Sequence, residues 1–125
     1  MQYLLNTHKL AARGRHLDYG CGKGQDADRL GMDKFDPHFF PELPGAQYTT
    51  ITCNYVLNVV EDPATQVNII NHIRELLTED GKAYVTVRAD VKVDGPTSKG
   101  WQGTVTLNFP IVKKTSGYTI YRVTK

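Results

Sequence analysis

Long apolar runs, paired cysteines and clustered histidines are missing from this chain of 125 residues. No apolar stretch approaches the roughly 20 residues that span a bilayer. The first residues are too few and too uncharged for a signal peptide. We therefore expect a cytoplasmic protein without membrane association, and the length predicts a single domain over residues 1–125.

The chain has two cysteines, Cys21 and Cys53. Neither belongs to a CxxC pair or has a nearby histidine partner, so no metal site is expected. Each comes at the end of a predicted strand, and in a reducing compartment we expect both to be free thiols.

The net charge of +2 is unevenly distributed. Residues 1–87 carry eight Lys or Arg against eleven Asp or Glu, whereas residues 88–125 carry seven against two. A basic C-terminal third favours an anionic partner such as nucleic acid, and the alternative is a set of solvated loops.

The pattern of apolar and β-branched residues predicts an alternation of helices and strands. Helices are expected over residues 2–13, over 25–30, and from the Asp62 N-cap to Gly81. Strands are expected over residues 16–19, 32–36, 48–54, 82–88, 103–109 and 118–123. A helix between two apolar strands predicts a parallel sheet, and the short connection over residues 110–117 predicts an antiparallel hairpin at the C-terminal end.

The most informative stretch is residues 17–24, which read LDYGCGKG. Glycines at alternate positions after a short strand allow positive φ and let a ligand touch the backbone. Gln25 stands where the dinucleotide fingerprint needs its third glycine, and no phosphate-binding P-loop follows. Asp18 would oppose a pyrophosphate but suits an ammonium group, so an amino-acid-bearing nucleoside fits better than a nicotinamide dinucleotide.

These residues resemble the first motif of the class I S-adenosylmethionine-dependent methyltransferases. Residues 53–60, which read CNYVLNVV, are similar to the family's fourth motif, and residues 76–85 resemble its next helix, glycine and strand. The resemblance covers roughly residues 14–125. Within the family, residues 100–103 and 118–122 are most similar to methyltransferases associated with DNA phosphorothioation systems.

The resemblance implies an α/β, Rossmann-like fold in a shortened form. A mostly parallel sheet would carry the C-terminal antiparallel hairpin. Only about a dozen residues separate Asp36 from Tyr48, where the family usually has a helix, a third strand and another helix. We therefore expect the third-strand edge of the sheet to be lacking, and a homodimer at that edge is left open.

The resemblance also implies S-adenosylmethionine as the cofactor, held by the glycine loop. Gly20 and Gly22 would let the methionine part lie against the loop, with backbone N–H groups near its carboxylate, and Cys21 and Gly24 complete this loop. Asp18 would orient the loop or meet the ammonium group; the alternative is that it only caps the turn.

Four further residues receive roles from the same resemblance. Asp36 would bind both ribose hydroxyls, unless it only begins the turn before Pro37. Asn54 and Tyr55 would border the methyl end, and Asn58 would face the methyl acceptor. The alternative for these three, which are the candidate catalytic residues, is helix capping and packing. Phe39 and Phe40 would either stack on adenine or close the core.

Three functions follow as hypotheses. The first is a methyltransferase acting on a small molecule or a nucleic acid. Methyl transfer needs a positioned acceptor more than a catalytic base, so the lack of an obvious base does not oppose it. The second is a non-catalytic S-adenosylmethionine-binding module acting through a partner. The third is a small nucleic-acid-binding protein that uses the basic third of the chain.

Overall fold

A computed structural model describes residues 15–42, 47–91, 94–97 and 100–125. The predicted helix over residues 2–13 lies outside the described residues. Six strands form one sheet in the order β2-β1-β3-β4-β8-β7, and two short strands, β5 and β6, form a separate antiparallel ribbon. The strands are β1 His16–Tyr19, β2 Asp33–Phe35, β3 Tyr48–Asn54, β4 Leu77–Arg88, β5 Gly95–Thr97, β6 Gly100–Gln102, β7 Ile111–Lys114 and β8 Tyr118–Thr124. The helices are α1 Gln25–Leu30, α2 Pro63–Glu75 and a short 3-10 helix, Leu57–Val59.

The first half of the sheet is parallel. β1 pairs with β2 on one side and with β3 on the other, and β3 pairs with β4. The chain therefore reverses its direction of travel across the sheet between β1 and β3, and such a switch point opens a crevice at the carboxyl ends of the strands. The mostly parallel α/β sheet with an antiparallel hairpin confirms the predicted fold class.

The sheet ends at β2 among the described residues, with β1 as its partner. The predicted strand over residues 32–36 is shorter in the structure, because Asp36 leaves the ladder and forms an isolated antiparallel bridge with Phe40. Pro37 follows at once and has no N–H to continue a strand.

Helix α2 begins as predicted. Asp62 caps it by accepting a hydrogen bond from the Ala64 N–H at 3.1 Å, and Pro63 stands at its first position.

The predicted end of α2 at Gly81 is wrong, because the helix stops at Glu75. The N–H of Tyr48 donates to the Leu76 carbonyl at 2.7 Å, and Leu77 pairs with Tyr48 as the first residue of β4. Gly81 lies inside this strand, where an added Cβ would come within 2.8 Å of the Tyr48 carbonyl oxygen. Pairing with β3 thus overrides the helical spacing of Leu76 and Leu77.

The predicted strand over residues 103–109 is also wrong. Its alternating apolar side chains do face the core, since Val105 is buried and Leu107 and Phe109 pack against the core cluster. The hairpin is formed instead by β7 and β8, and β7 lies inside the segment predicted as a connection.

The core lies between the sheet and α2. Leu17 and Tyr19 face α2, where the Tyr19 hydroxyl is 2.7 Å from Nδ1 of His72. Burial raises the pKa of Tyr19 to about 12. Because side chains alternate along a strand, Asp18 points to the opposite face of the sheet.

Candidate functional site

The glycine loop turns away from the end of β1 through three residues with positive φ. Gly20, Gly22 and Gly24 have φ values of 77°, 59° and 80°, a region that side chains other than glycine rarely adopt. At Gly20 the reason is also steric, because a Cβ there would lie 2.4 Å from Cγ2 of Val56. Val56 follows β3, so the two stretches predicted to form the site meet at this point.

Gly22 differs from Gly20 because the space above it is open. A Cβ at Gly22 would meet no heavy atom within 4 Å. A cleft beside the loop is lined by Cys21, Lys23, Gly24, Gln25 and Asp26. The loop therefore leaves the backbone of Gly22 uncovered, and its neighbours line a cleft, as a ligand-binding turn requires.

The backbone donors of this loop are used within the protein. The N–H groups of Gly20 and Cys21 both donate to the Phe35 carbonyl, at 2.7 and 3.1 Å. Gly24 donates to the Cys21 carbonyl at 3.1 Å, and Gly22 donates to the Asp36 carboxylate at 2.9 Å. These four groups hold the loop in shape, so a ligand carboxylate near them would meet donors that already have partners.

Asp36 connects the end of β2 to the glycine loop. Its Oδ2 accepts from Gly22, and its Oδ1 accepts the N–H groups of His38 at 2.9 Å and Phe39 at 3.2 Å. A carboxylate offers about four acceptor positions, so three are filled. Asp36 starts a turn, as the alternative interpretation holds, and contact with both ribose hydroxyls would require one backbone donor to leave.

Asp18 is buried on the sheet face opposite to α2. Oγ1 of Thr52 on the neighbouring strand donates to its Oδ1 at 3.0 Å. Burial raises the pKa of Asp18 to about 6, with a smaller contribution from Asp26, whereas the Thr52 hydrogen bond lowers it. A cationic group placed above this carboxylate would favour its ionised form.

Asn54 and Tyr55 end β3 at the same edge of the sheet. Asn54 shares the face of Thr52 and Asp18, because it lies two residues beyond Thr52 on the strand. Tyr55 has a φ of 61°, an arrangement that costs about 1 kcal/mol or more for a residue with a Cβ. Tyr55 is 46% exposed, and its electrostatic neighbours are Arg88, Asp90 and Tyr118, so the strained backbone presents the ring near the end of β4 and the start of β8.

Asn58, which was predicted to face the methyl acceptor, is buried in the structure. Its side chain is only 1% exposed, and its Nδ2 donates to Oε1 of Gln102 at 2.8 Å. Its carbonyl accepts the Gly103 N–H at 2.8 Å. The β5–β6 ribbon therefore covers Asn58, and contact with an acceptor stays a prediction. Sequence reasoning missed Gln102, since no pattern linked it to residue 58.

Phe39 and Phe40 lie beside the glycine loop and outside the core clusters. Phe39 is 46% exposed. The Lys34 ammonium stands 4.5 Å from the centre of the Phe40 ring, and this ring is also near Gly24. Closure of the main core, the alternative proposed for these aromatics, is not their role here.

Both cysteines are free thiols, as predicted. Cys53 is fully buried, and burial raises the pKa of its thiol. Within the described part of the chain, no three His, Cys, Asp or Glu side chains are grouped to hold a metal ion. No helix among those residues is long and apolar enough to cross a membrane.

Comparison with solved structures gives the fold. Burkholderia thailandensis 1,6-didemethyltoxoflavin-N1-methyltransferase, solved with S-adenosylhomocysteine, aligns with a TM-score of 0.66 at 18% identity over 98% of this chain and 76% of its own. The complex of DhpI with SAM and HEP aligns at 0.62 and 12% identity over 98% and 86%. CcbJ from Streptomyces caelestis aligns at 0.58 and 18% identity over 77% and 53%. This chain thus spans about half the length of CcbJ.

No curated protein matches the sequence. The family model described as "Methyltransferase domain" matches residues 2–106. This match covers most of the chain and includes the glycine loop, Asp36 and the segment after β3. The chain therefore belongs to the methyltransferase-domain family.

Proposed function

We propose that residues 1–125 act as one domain that binds S-adenosylmethionine and transfers its methyl group to a small molecule or a nucleic acid. The observation that carries the proposal is the glycine loop at the switch point of the sheet, with positive φ at alternate residues and open space above Gly22. When bound, the cofactor supplies a methyl group on a sulfonium, and the acceptor's lone pair forms the new bond as the old electron pair returns to sulfur.

The residues around the loop fit this cofactor. Gly20, Cys21, Gly22 and Gly24 would form the backbone surface under its methionine part. Asp18 is buried on β1, just before the loop. Its carboxylate would attract the ammonium group of the cofactor directly or through water. This carboxylate is the reason to prefer an amino-acid-bearing ligand to a phosphate-bearing one.

The other proposed contacts lie at the carboxyl ends of β2 and β3. Asp36 has one acceptor position left for a ribose hydroxyl, and the exposed ring of Phe39 offers a face for adenine. Asn54 and Tyr55 would border the methyl group. Their task would be to orient the acceptor and exclude water, because the methyl group arrives already activated.

Calorimetry with S-adenosylmethionine tests the proposal first. We expect measurable binding, and no heat at millimolar ligand would contradict both the methyltransferase and the non-catalytic binding module. Transfer of labelled methyl groups to a cell extract then separates the methyltransferase from the non-catalytic module. Nuclease treatment of the labelled product distinguishes nucleic acid from small-molecule acceptors.

Residues 100–103 and 118–122 are similar to methyltransferases associated with DNA phosphorothioation, and this similarity would make DNA the methyl acceptor. The basic residues of the C-terminal third are the feature that supports it, although Arg88 is paired with Asp90 and Lys125 donates to the Leu77 carbonyl. Binding to duplex DNA that weakens steeply with salt would support this acceptor, since phosphate contacts release counterions. Label found only in small molecules would contradict it.

A further inference from the structure

Two buried side-chain oxygens without a hydrogen-bond partner lie at and just after the carboxyl end of β3. Among the described residues three buried side-chain polar atoms have no partner: Nε2 of His16, Oδ1 of Asn54 and Oδ1 of Asn58. The two asparagine oxygens lie within five residues of each other, at and just after the carboxyl end of β3. A buried acceptor without a hydrogen-bond partner destabilises the protein, so these two oxygens favour a ligand that donates hydrogen bonds to them.

The Asn58 amide is held in a fixed orientation. Its Nδ2 donates to Gln102, and its backbone carbonyl receives the Gly103 N–H. The surrounding 3-10 helix is braced by Gln66, whose Nε2 donates to the Val60 carbonyl at 2.7 Å. Of its two side-chain polar atoms, Oδ1 is the one for which the described structure supplies no partner.

We propose that Oδ1 of Asn54 and Oδ1 of Asn58 accept hydrogen bonds from an N–H group of the methyl acceptor, so that the substrates of this domain are nitrogen compounds. The inference rests on the proposed methyl transfer. Gln102 is then a positioning residue, because it fixes the Asn58 amide with its oxygen toward the acceptor.

Carbonyl oxygens favour nitrogen over oxygen nucleophiles for an electrostatic reason. A nitrogen that takes up the methyl group gains positive charge as its lone pair forms the new bond, and its proton leaves to solvent afterwards. Its N–H becomes a stronger donor during this step. The hydrogen bonds are therefore stronger in the transition state than in the bound substrate, and this difference lowers the barrier. A hydroxyl that has lost its proton has no donor left, and the same carbonyl dipoles oppose its negative charge.

Binding of matched probes tests the inference without relying on turnover. The protein is first saturated with S-adenosylhomocysteine, and failure at this step would reject the proposed function itself. Benzimidazole is then compared with benzoxazole, and indole with benzofuran, by calorimetry. Each pair replaces one ring N–H by an oxygen atom, which cannot donate a hydrogen bond, and leaves the rest of the molecule unchanged.

We expect the nitrogen probe of each pair to bind about tenfold tighter, the factor that one to two neutral hydrogen bonds give. Asn58→Ala should remove most of this ratio and Gln102→Ala part of it, while the affinity for S-adenosylhomocysteine stays within about twofold. Asn71→Ala, on the exposed face of α2, is the matched control and should keep the ratio.

Equal affinities within both pairs would overturn the inference, as would a ratio that survives in Asn54→Ala and in Asn58→Ala. Absence of binding by all four probes at millimolar concentration would also overturn it. If Asn58→Ala does not fold, Gln102→Ala decides, because Gln102 is only half-buried and its truncation leaves the Asn58 oxygen in place.

Discussion

The N–H of Gly22 lies 2.9 Å from Oδ2 of Asp36 and donates to it. This hydrogen bond joins the glycine loop after β1 to the turn after β2. Two residues that family resemblance assigns to separate parts of one cofactor are thus coupled in the protein itself. A change at either residue should therefore affect both parts of the site.

Asp36→Asn should weaken S-adenosylmethionine binding at least about tenfold. The amide retains a single acceptor oxygen in place of two, so the variant loses either the Gly22 hydrogen bond or those of the turn, together with the position left for a ribose hydroxyl. Calorimetry gives the affinity. Asp28→Asn, which removes only the exposed ion pair with Lys34, is the control. Unchanged affinity in Asp36→Ala would refute the ribose assignment.

Gly22→Ala should block the cofactor while leaving the fold intact. Gly31 is a matched control, because its φ of 69° is also positive and a Cβ there would likewise meet nothing within 4 Å. Both variants should lose about 1 kcal/mol of unfolding free energy from backbone strain. Only Gly22→Ala should lose cofactor affinity, and equal affinities in the two variants would place the ligand elsewhere.

Stability should fall as pH rises from about 4 to about 6 because of Asp18. Its pKa in the folded protein is about 6, above its ordinary value of 3.8, so the unfolded chain loses this proton first. The contribution of Asp18 to the free energy of unfolding is highest below pH 4, declines through this window by up to about 3 kcal/mol and is level above it. Urea titrations of the wild type and Asp18→Asn isolate the effect. Parallel pH profiles for the two proteins would disprove it.

The two cysteines should report occupancy of the cleft. Cys21 is half-buried and lines the cleft, whereas Cys53 is fully buried. Iodoacetamide should label Cys21 slowly, because burial raises the pKa of its thiol. S-adenosylmethionine should slow this reaction further and leave Cys53 unlabelled in both states. Mass spectrometry of the peptides measures both. Labelling of Cys21 at the same rate with and without ligand would contradict the proposed location.

Local patterns were sufficient for the parallel half of the fold. The β-branched run of β3, the Asp62 cap and the glycine loop are each specified by neighbours in sequence, and the structure agrees at all three. At Leu76 and Leu77 local patterns gave a wrong prediction. Their spacing suits a helix, but pairing with Tyr48 is a contact between distant residues, and it draws Leu77 into β4.

The candidate site divides in the same way. The loop at Gly20 and Gly22 and the turn at Asp36 could be predicted because a motif links each to a backbone shape, while their contacts with a cofactor stay a prediction. The contact between Asn58 and Gln102 joins residues 44 positions apart, and no short pattern encodes it. The same holds for β7, where Ile111 and Val112 suit a strand but no short pattern shows that they pair with β8.

The brevity of β2 sets how this sheet can associate with other chains. Three residues present only about two outward-facing backbone groups for hydrogen bonding, worth about 1–3 kcal/mol in total. Asp33 and Lys34 on this strand are already paired with Arg15 and Asp28. Strand addition at β2 therefore contributes little by itself, and a homodimer at this edge would need side-chain contacts as well.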